Sequence, residues 1–236
     1  ARGGIPTICW HTGADFFSGY PECRESELDW ASAFVDGTEA NRRLLDGLDR
    51  AVPYLKRLQS DGVPILWRPF HEMDGGWFWW GASGADAYLQ LYKLMYDRLT
   101  NVHGLNNLIW VWNGQDAAWY PGDEYVDIIG EDIYPGEHVY TSQAARFIKA
   151  LNYTDTRKLI TLSENGCIPD PEQLVRDNIM WSYWCVWEGE FVLKAAGFNK
   201  YGERYTEKDM LKKAYKSDAV ITRKELPDLR NYPLGD

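Results

Sequence analysis

The sequence contains no run of eighteen apolar residues, so it offers no candidate membrane-spanning helix. It has no excess of positive charge. Its 25 Lys and Arg stand against 35 Asp and Glu, for a formal net charge of −10. That balance argues against nucleic acid or an anionic membrane as a partner. Cysteine is scarce. Cys9, Cys23, Cys167 and Cys185 form no CxxC pair, which argues against a zinc or thioredoxin-like site. The even count permits disulfides without requiring them. No GxGxxG or Walker-type phosphate loop follows any apolar run, so a nucleotide fold loses weight. The stretch HEMDG is not an HExxH zinc motif, because Gly75 stands where the second His is needed. The expectation is therefore no metal and no cofactor. The opening ARGGIPTICWH carries no basic, apolar signal segment, the pattern of a mature form or a fragment.

Aromatic residues are abundant. They make up 15% of the chain, with 12 Trp and 15 Tyr among 236 residues. Such rings combine a flat apolar face with a polar edge, which suits amphipathic ligands, although any single Trp is more often part of a core. They concentrate in RPFHEMDGGWFWWG at 68–81, where a His-Glu pair directly precedes the aromatic cluster. The length fits one large domain or two small ones, and no Pro/Gly/Ser-rich or charged linker divides it.

Short apolar runs alternate with amphipathic stretches. Strands are expected at 4–11, 63–70, 107–112, 125–130, 158–163 and 182–187, each a near-continuous apolar run of the kind buried on both faces. Helices are expected over 38–59, with a kink at Pro53, and from a Ser83 cap to about 100. Further helices are expected at 141–151, after Asp170-Pro171, and from Thr206 with Asp209 three residues on. Six strands mostly separated by helices imply an α/β fold with a parallel sheet of βα units. Polar and aromatic residues recur where the strands end: Trp10-His11, His71-Glu72, Trp112-Asn113, Asp132, Tyr134, Ser163-Glu164 and Trp187-Glu188. That is the face on which (β/α)8 barrels assemble active sites.

Glu72 and Glu164 each close an apolar strand and each precede a turn. Two such carboxyls suit glycoside hydrolysis, one as protonated acid and one as carboxylate facing the anomeric carbon. The aromatic surroundings of Glu72 suit the acid. Arg68 shares strand parity with Glu72 and is expected to point inward beneath it.

WRPFHEMDGGWFWWG, with GGIPTICWH before it and YPGDEYVDIIGEDIY and TLSENG after it, resembles glycoside hydrolase family 26 over roughly 1–222. The resemblance implies a secreted, retaining endo-β-1,4-mannanase with a (β/α)8 TIM barrel. It aligns GGIPTICWH, ILWRPFHE and LITLSENG with the third, fourth and seventh family strands, so the first two strands are expected to be absent from this chain. Residues 1–236 would then form one catalytic domain, N-terminally incomplete relative to the family. By motif, Glu72 resembles the acid/base and Glu164 the nucleophile. His71 resembles a residue touching the reacting sugar, and Tyr134 the tyrosine that orients the nucleophile. His11 and Trp187 match sugar-site positions, Trp184 being a competitor for the latter, and Trp77 matches a platform tryptophan. Of Trp77, Trp79 and Trp80, at least one is expected to be purely structural. The implied substrate is mannan, glucomannan or galactomannan, cleaved by a monomer. The alternatives are β-1,3-1,4-glucanase or β-1,3-xylanase activity in the same family, a non-catalytic carbohydrate-binding barrel, and a metal-dependent hydrolase, which lacks a ligand cluster.

Overall fold

All six expected apolar runs form strands in the computed structural model, which describes residues 4–194 and 200–228. They are β1 (Thr7–Cys9), β2 (Ile65–Arg68), β3 (Leu108–Trp112), β4 (Ile128–Ile133), β5 (Leu159–Asn165) and β6 (Trp184–Val186). The helices are α1 (Glu22–Glu25), α2 (Trp30–Ala33), α3 (Glu39–Asp49), α4 (Val52–Ser60), α5 (Ala85–Tyr96), α6 (Ala144–Leu151), α7 (Pro171–Asp177) and α8 (Lys208–Lys216). The chain clusters into two compact units.

One unit comprises Ile5–Glu131 and Lys149–Thr161. In it β1, β2, β3 and the first half of β4 pair side by side, all parallel, with Ile8 opposite Trp67, Trp67 opposite Trp110, and Trp112 opposite Ile129. Parallel neighbours demand crossover connections: α3 and α4 lie between β1 and β2, α5 between β2 and β3, and two short 3-10 turns between β3 and β4. Ile65, Trp67, Trp110, Val111 and Trp112 on the strands are buried with Leu44 and Leu48 of α3 and Leu91 and Met95 of α5. Each aliphatic side chain buried this way contributes about 1.5–3 kcal/mol.

The other unit comprises Gly4, Asp132–Ile148 and Leu162 onward among the described residues. Here β5 pairs with β6, also parallel, and the Gly166 N–H donates to the Ile133 carbonyl beyond the end of β4 at 3.1 Å. The helix α7 packs through Leu174, and Trp181 stands edge-on to Phe147 of α6. Cys23 in the first unit and Cys167 in the second are buried thiols, and burial raises the pKa of both.

Several local expectations need correcting. The stretch 38–59 is not one kinked helix. It divides into α3 and α4, and Pro53 sits in the first turn of α4, where its missing N–H costs nothing. Ser83 is not the cap of α5. That position belongs to Gly84, whose φ of 85° needs a residue without Cβ. The stretch expected to run helically to 100 ends as α-helix at Tyr96 and continues as a π turn over Asp97–Val102. Thr206 does not open α8. Its hydroxyl is taken by the Ile168 N–H at 3.1 Å, and Glu207 is the N-cap. The Asp170-Pro171 start of α7 holds, with the Asp170 carboxylate accepting from the Glu172 N–H at 3.0 Å.

In the first unit, α3 is tied to the segment after α5 by Asp49, which takes Arg98 through both carboxylate oxygens at 2.8 and 2.6 Å, and His103 at 2.7 Å. The bond from Arg98 is the main reason that the Asp49 pKa lies below its ordinary value, with burial opposing and His103 assisting. A depressed carboxyl contributes stability that is present above its unfolded pKa of about 3.9 and is lost as pH falls through the folded value. Asp49→Asn is therefore expected to lower stability at pH 7 by about 1–2 kcal/mol, between an exposed pair and a charge-assisted bond. Denaturant melts at pH 7 and pH 3 should show the gap to the parent closing at the lower pH.

Candidate active site

Arg68, the last residue of β2, is 1% exposed. A buried guanidinium must be met by acceptors. One terminal nitrogen donates to the Asn113 side-chain oxygen, and Nε donates to Cys9 Sγ at 3.1 Å. Asn113, directly after β3, then reaches further. Its Nδ2 donates to the Gly130 carbonyl on β4 at 3.0 Å, and its own carbonyl accepts the Glu72 N–H at 2.8 Å. Polar groups from the ends of β1, β2 and β3 and from within β4 are thus joined beneath Glu72.

The backbone does not leave β2 smoothly. Phe70 and Glu72 both adopt left-handed conformations, with φ of 51° and 53°. Neither is glycine, so each position is strained, and strain of this kind gathers at functional sites. Met73–Gly75 form a single 3-10 turn, and Gly76 at φ 72° reverses the chain. The Trp77 ring then lies where a side chain on Gly75 would stand, and its indole N–H donates to Glu72 Oε2 at 3.2 Å. Gly81 packs against the Met73 carbonyl with no room for a Cβ, which pins the turn.

The four rings of the aromatic run divide in role. Trp77 is 45% exposed, whereas Phe78, Trp79 and Trp80 are buried. The Trp79 indole N–H donates to the Thr12 carbonyl at 2.7 Å, and that of Trp80 to the His71 carbonyl at 2.9 Å. These two are structural, as expected of at least one. His11 and His71 meet edge-on with ring centres 4.6 Å apart, and Phe78 lies against both. Burial, and then the nearby Arg68 and His11, hold the His71 pKa well below its ordinary value, so His71 is neutral at neutral pH. This unit thus brings together four of the sequence candidates: His11, His71, Glu72 and Trp77.

The other unit brings together the remaining three: Tyr134, Glu164 and Trp187. Leu162 pairs with Trp184 and Asn165 with Val186, so β5 carries one residue more than β6 between the two pairs. Ser163 and Glu164 ride on that bulge, a device that re-aims a side chain. The Tyr134 hydroxyl donates to Glu164 Oε2 at 2.6 Å. The Tyr134 ring rests against Phe191, with centres 5.2 Å apart, and both rings face Gly166. Trp187 follows β6, is 36% exposed, and donates its N–H to the Asn165 carbonyl at 3.0 Å. Its competitor Trp184 lies half-buried within β6.

The sequence pointed to Phe78 only as one of the rings around Glu72, left Phe191 unnoticed, and did not assign Asn113 the role of linking strands. For Asn113 the available signal was an amide closing an apolar run.

Residues 1–225 match the family described as Glycosyl hydrolase family 26. The chain belongs to that family. It is 37% identical to a mannan endo-1,4-beta-mannosidase of Thermothelomyces thermophilus, across 95% of this chain and 47% of that protein. It is 36% identical to mannan endo-1,4-beta-mannosidase B of Piromyces sp, across 95% of this chain and 38% of that protein. The chain therefore spans less than half the length of these two curated relatives. Among solved structures it resembles a ruminal GH26 endo-beta-1,4-mannanase, at 33% identity and a TM-score of 0.82 over 96% of this chain and 52% of that one. It also resembles a beta-mannanase from a symbiotic protist of the termite Reticulitermes speratus, complexed with gluco-manno-oligosaccharide. There the identity is 33% and the TM-score 0.81, over 96% of this chain and 69% of that one.

The left-handed backbone at Glu72 yields a measurable expectation. L-residues there cost about 1–2 kcal/mol that glycine avoids. Glu72→Gly should therefore be more stable than Glu72→Ala by about 1 kcal/mol, despite the entropy that glycine adds to the unfolded chain. Equilibrium unfolding of the two variants side by side checks this, and a Glu72→Gly variant less stable than Glu72→Ala by about 0.5–1 kcal/mol would mean that the position is unstrained.

Proposed function

We propose that this protein is an endo-acting β-1,4-mannanase that hydrolyses mannan, glucomannan or galactomannan with retention of configuration. Glu72 serves as acid/base and Glu164 as nucleophile. His11, His71, Trp77, Tyr134 and Trp187 contact the sugar chain. On this reading the six strands are the third to eighth of a (β/α)8 barrel. Residues 1–236 act within one catalytic domain, and the enzyme is secreted and works as a monomer.

The observation that carries the reading is the 2.6 Å hydrogen bond from Tyr134 to a carboxylate held on a strand bulge. It fixes the rotation of Glu164 and so aims an oxygen for attack, which is positioning rather than proton transfer. In the first step Glu164 attacks the anomeric carbon and the glycosidic C–O bond breaks. Glu72 gives its proton to the departing oxygen, and a glycosyl ester forms on Glu164. In the second step the Glu72 carboxylate takes a proton from water, the water oxygen bonds to the same carbon, and the ester bond to Glu164 breaks. The Trp77 indole beside Glu72 offers a sugar a flat apolar face and holds the carboxyl by its N–H. The mannanase names of the relatives support β-1,4-mannan over the glucan and xylan alternatives.

Acid assistance is worth about 10²–10⁴-fold when the leaving group needs a proton. Glu72→Gln should therefore lose activity by about that factor on mannan, and far less on aryl mannosides whose aglycone departs unaided. Equal losses on both substrates would refute the acid assignment.

The nucleophile has its own signature. An activated 2-deoxy-2-fluoro mannoside should slow turnover and leave a covalent adduct, and peptide mapping should place the added mass within LITLSENG. An adduct on another segment would remove Glu164 from the role.

A further inference from the structure

Toward β6, Glu164 is not held by regular strand pairing, because it rides on the bulge between the Leu162 and Asn165 anchors. The first anchor is the Leu162 N–H donating to the Tyr183 carbonyl at 3.0 Å, and the second is the Asn165 carbonyl accepting the Trp187 N–H at 3.0 Å. Whatever fixes Asn165 therefore fixes the C-terminal end of the bulge and the backbone of Trp187 together.

Asn165 is 1% exposed. Its Nδ2 donates to the Cys167 carbonyl at 2.7 Å, which orients the amide. Its Oδ1 is buried and accepts no hydrogen bond among the described residues. Such an acceptor is costly unless a donor reaches it. Asn165 also lines a cavity of about 10 Å³ together with Thr141, Gln143, Cys167, Ile133 and Leu162. That is the space of roughly one water molecule, and a buried water needs at least two polar partners. Thr141, itself exposed, also lines it and carries a second polar group, a hydroxyl that accepts from Gln143 Nε2 at 2.7 Å.

We propose that Asn165 is a positioning residue for Glu164 and Trp187, held in place by one buried water that donates to its Oδ1. The inference rests on the reading of Glu164 as nucleophile. Only an amide meets both demands at this position. A carboxylate could accept from the water but could not donate to the Cys167 carbonyl, and leucine could do neither.

The test compares the parent protein with Asn165→Asp and Asn165→Leu, each kept well below its melting temperature. Trapping by the activated 2-deoxy-2-fluoro mannoside is followed by mass. Both variants should trap the reagent about ten- to a hundredfold more slowly at saturation, as small misplacements of reacting groups do, with the label still on Glu164. A purely structural Asn165 would lower the melting temperature and leave the trapping rate of the folded protein unchanged, and that result overturns the proposal. A high-resolution crystal structure of the parent should show a water within about 3 Å of Oδ1. An empty cavity there overturns the water, and this arm holds even if neither variant folds. If the parent is labelled elsewhere than Glu164, the nucleophile assignment fails, while the crystal structure still decides how Asn165 is held.

Discussion

A guanidinium buried beneath the strand ends is the constraint on which the Glu72 side of the molecule depends. Arg68 cannot lie in an apolar interior without acceptors, and it finds them in the Asn113 amide and the Cys9 sulfur. Asn113 is then committed in two further directions, to the Gly130 carbonyl and to the Glu72 N–H. Each group is spoken for by the next, so the ends of β1, β2 and β3 and the middle of β4 become one polar layer. A lysine in place of Arg68 would carry the charge but not the fork that reaches both partners. The layer also explains how the chain tolerates left-handed turns at Phe70 and Glu72. Strain persists where the surroundings over-determine it.

Both carboxylates leave their strands by an irregularity, yet by different ones. Glu72 turns through a left-handed residue and is held by the Trp77 indole. Glu164 is turned by an extra residue and is held by the Tyr134 phenol. A regular strand end would point each side chain according to its pleat alone. The departures let the aim be set by hydrogen bonds from aromatic donors, which are stiff and keep their direction. An acid/base and a nucleophile both require fixed aim, so this common design suits the proposed chemistry.

Much of this was legible beforehand because it depends on local pattern. The six strands are apolar runs, and such runs have few other options, although only β2 to β5 are buried on both faces while β1 and β6 are partly exposed. Asp170-Pro171 announced α7 because a cap and a first-turn proline act within a few residues. Thr206 misled for the opposite reason. Its hydroxyl was claimed by Ile168, far away in sequence, and the helix start moved to Glu207. Glu72 could be singled out as a candidate from its place at a strand end, but its left-handed backbone could not, since no glycine marks it. The bulge at Glu164 is equally silent, because an added residue within an apolar run changes the register without changing the composition.

The division of labour within WFWW has an evolutionary side. Trp79 and Trp80 are fastened by their indole N–H groups to the carbonyls of Thr12 and His71, so their identity is tied to the fold. Trp77 is about half exposed over a glycine, and its removal opens no cavity in the core. Trp77 is therefore tied to Glu72 by one indole hydrogen bond rather than to the core. On the proposed reading, a lineage could change this ring without first repairing the core, but only by finding another donor for Glu72.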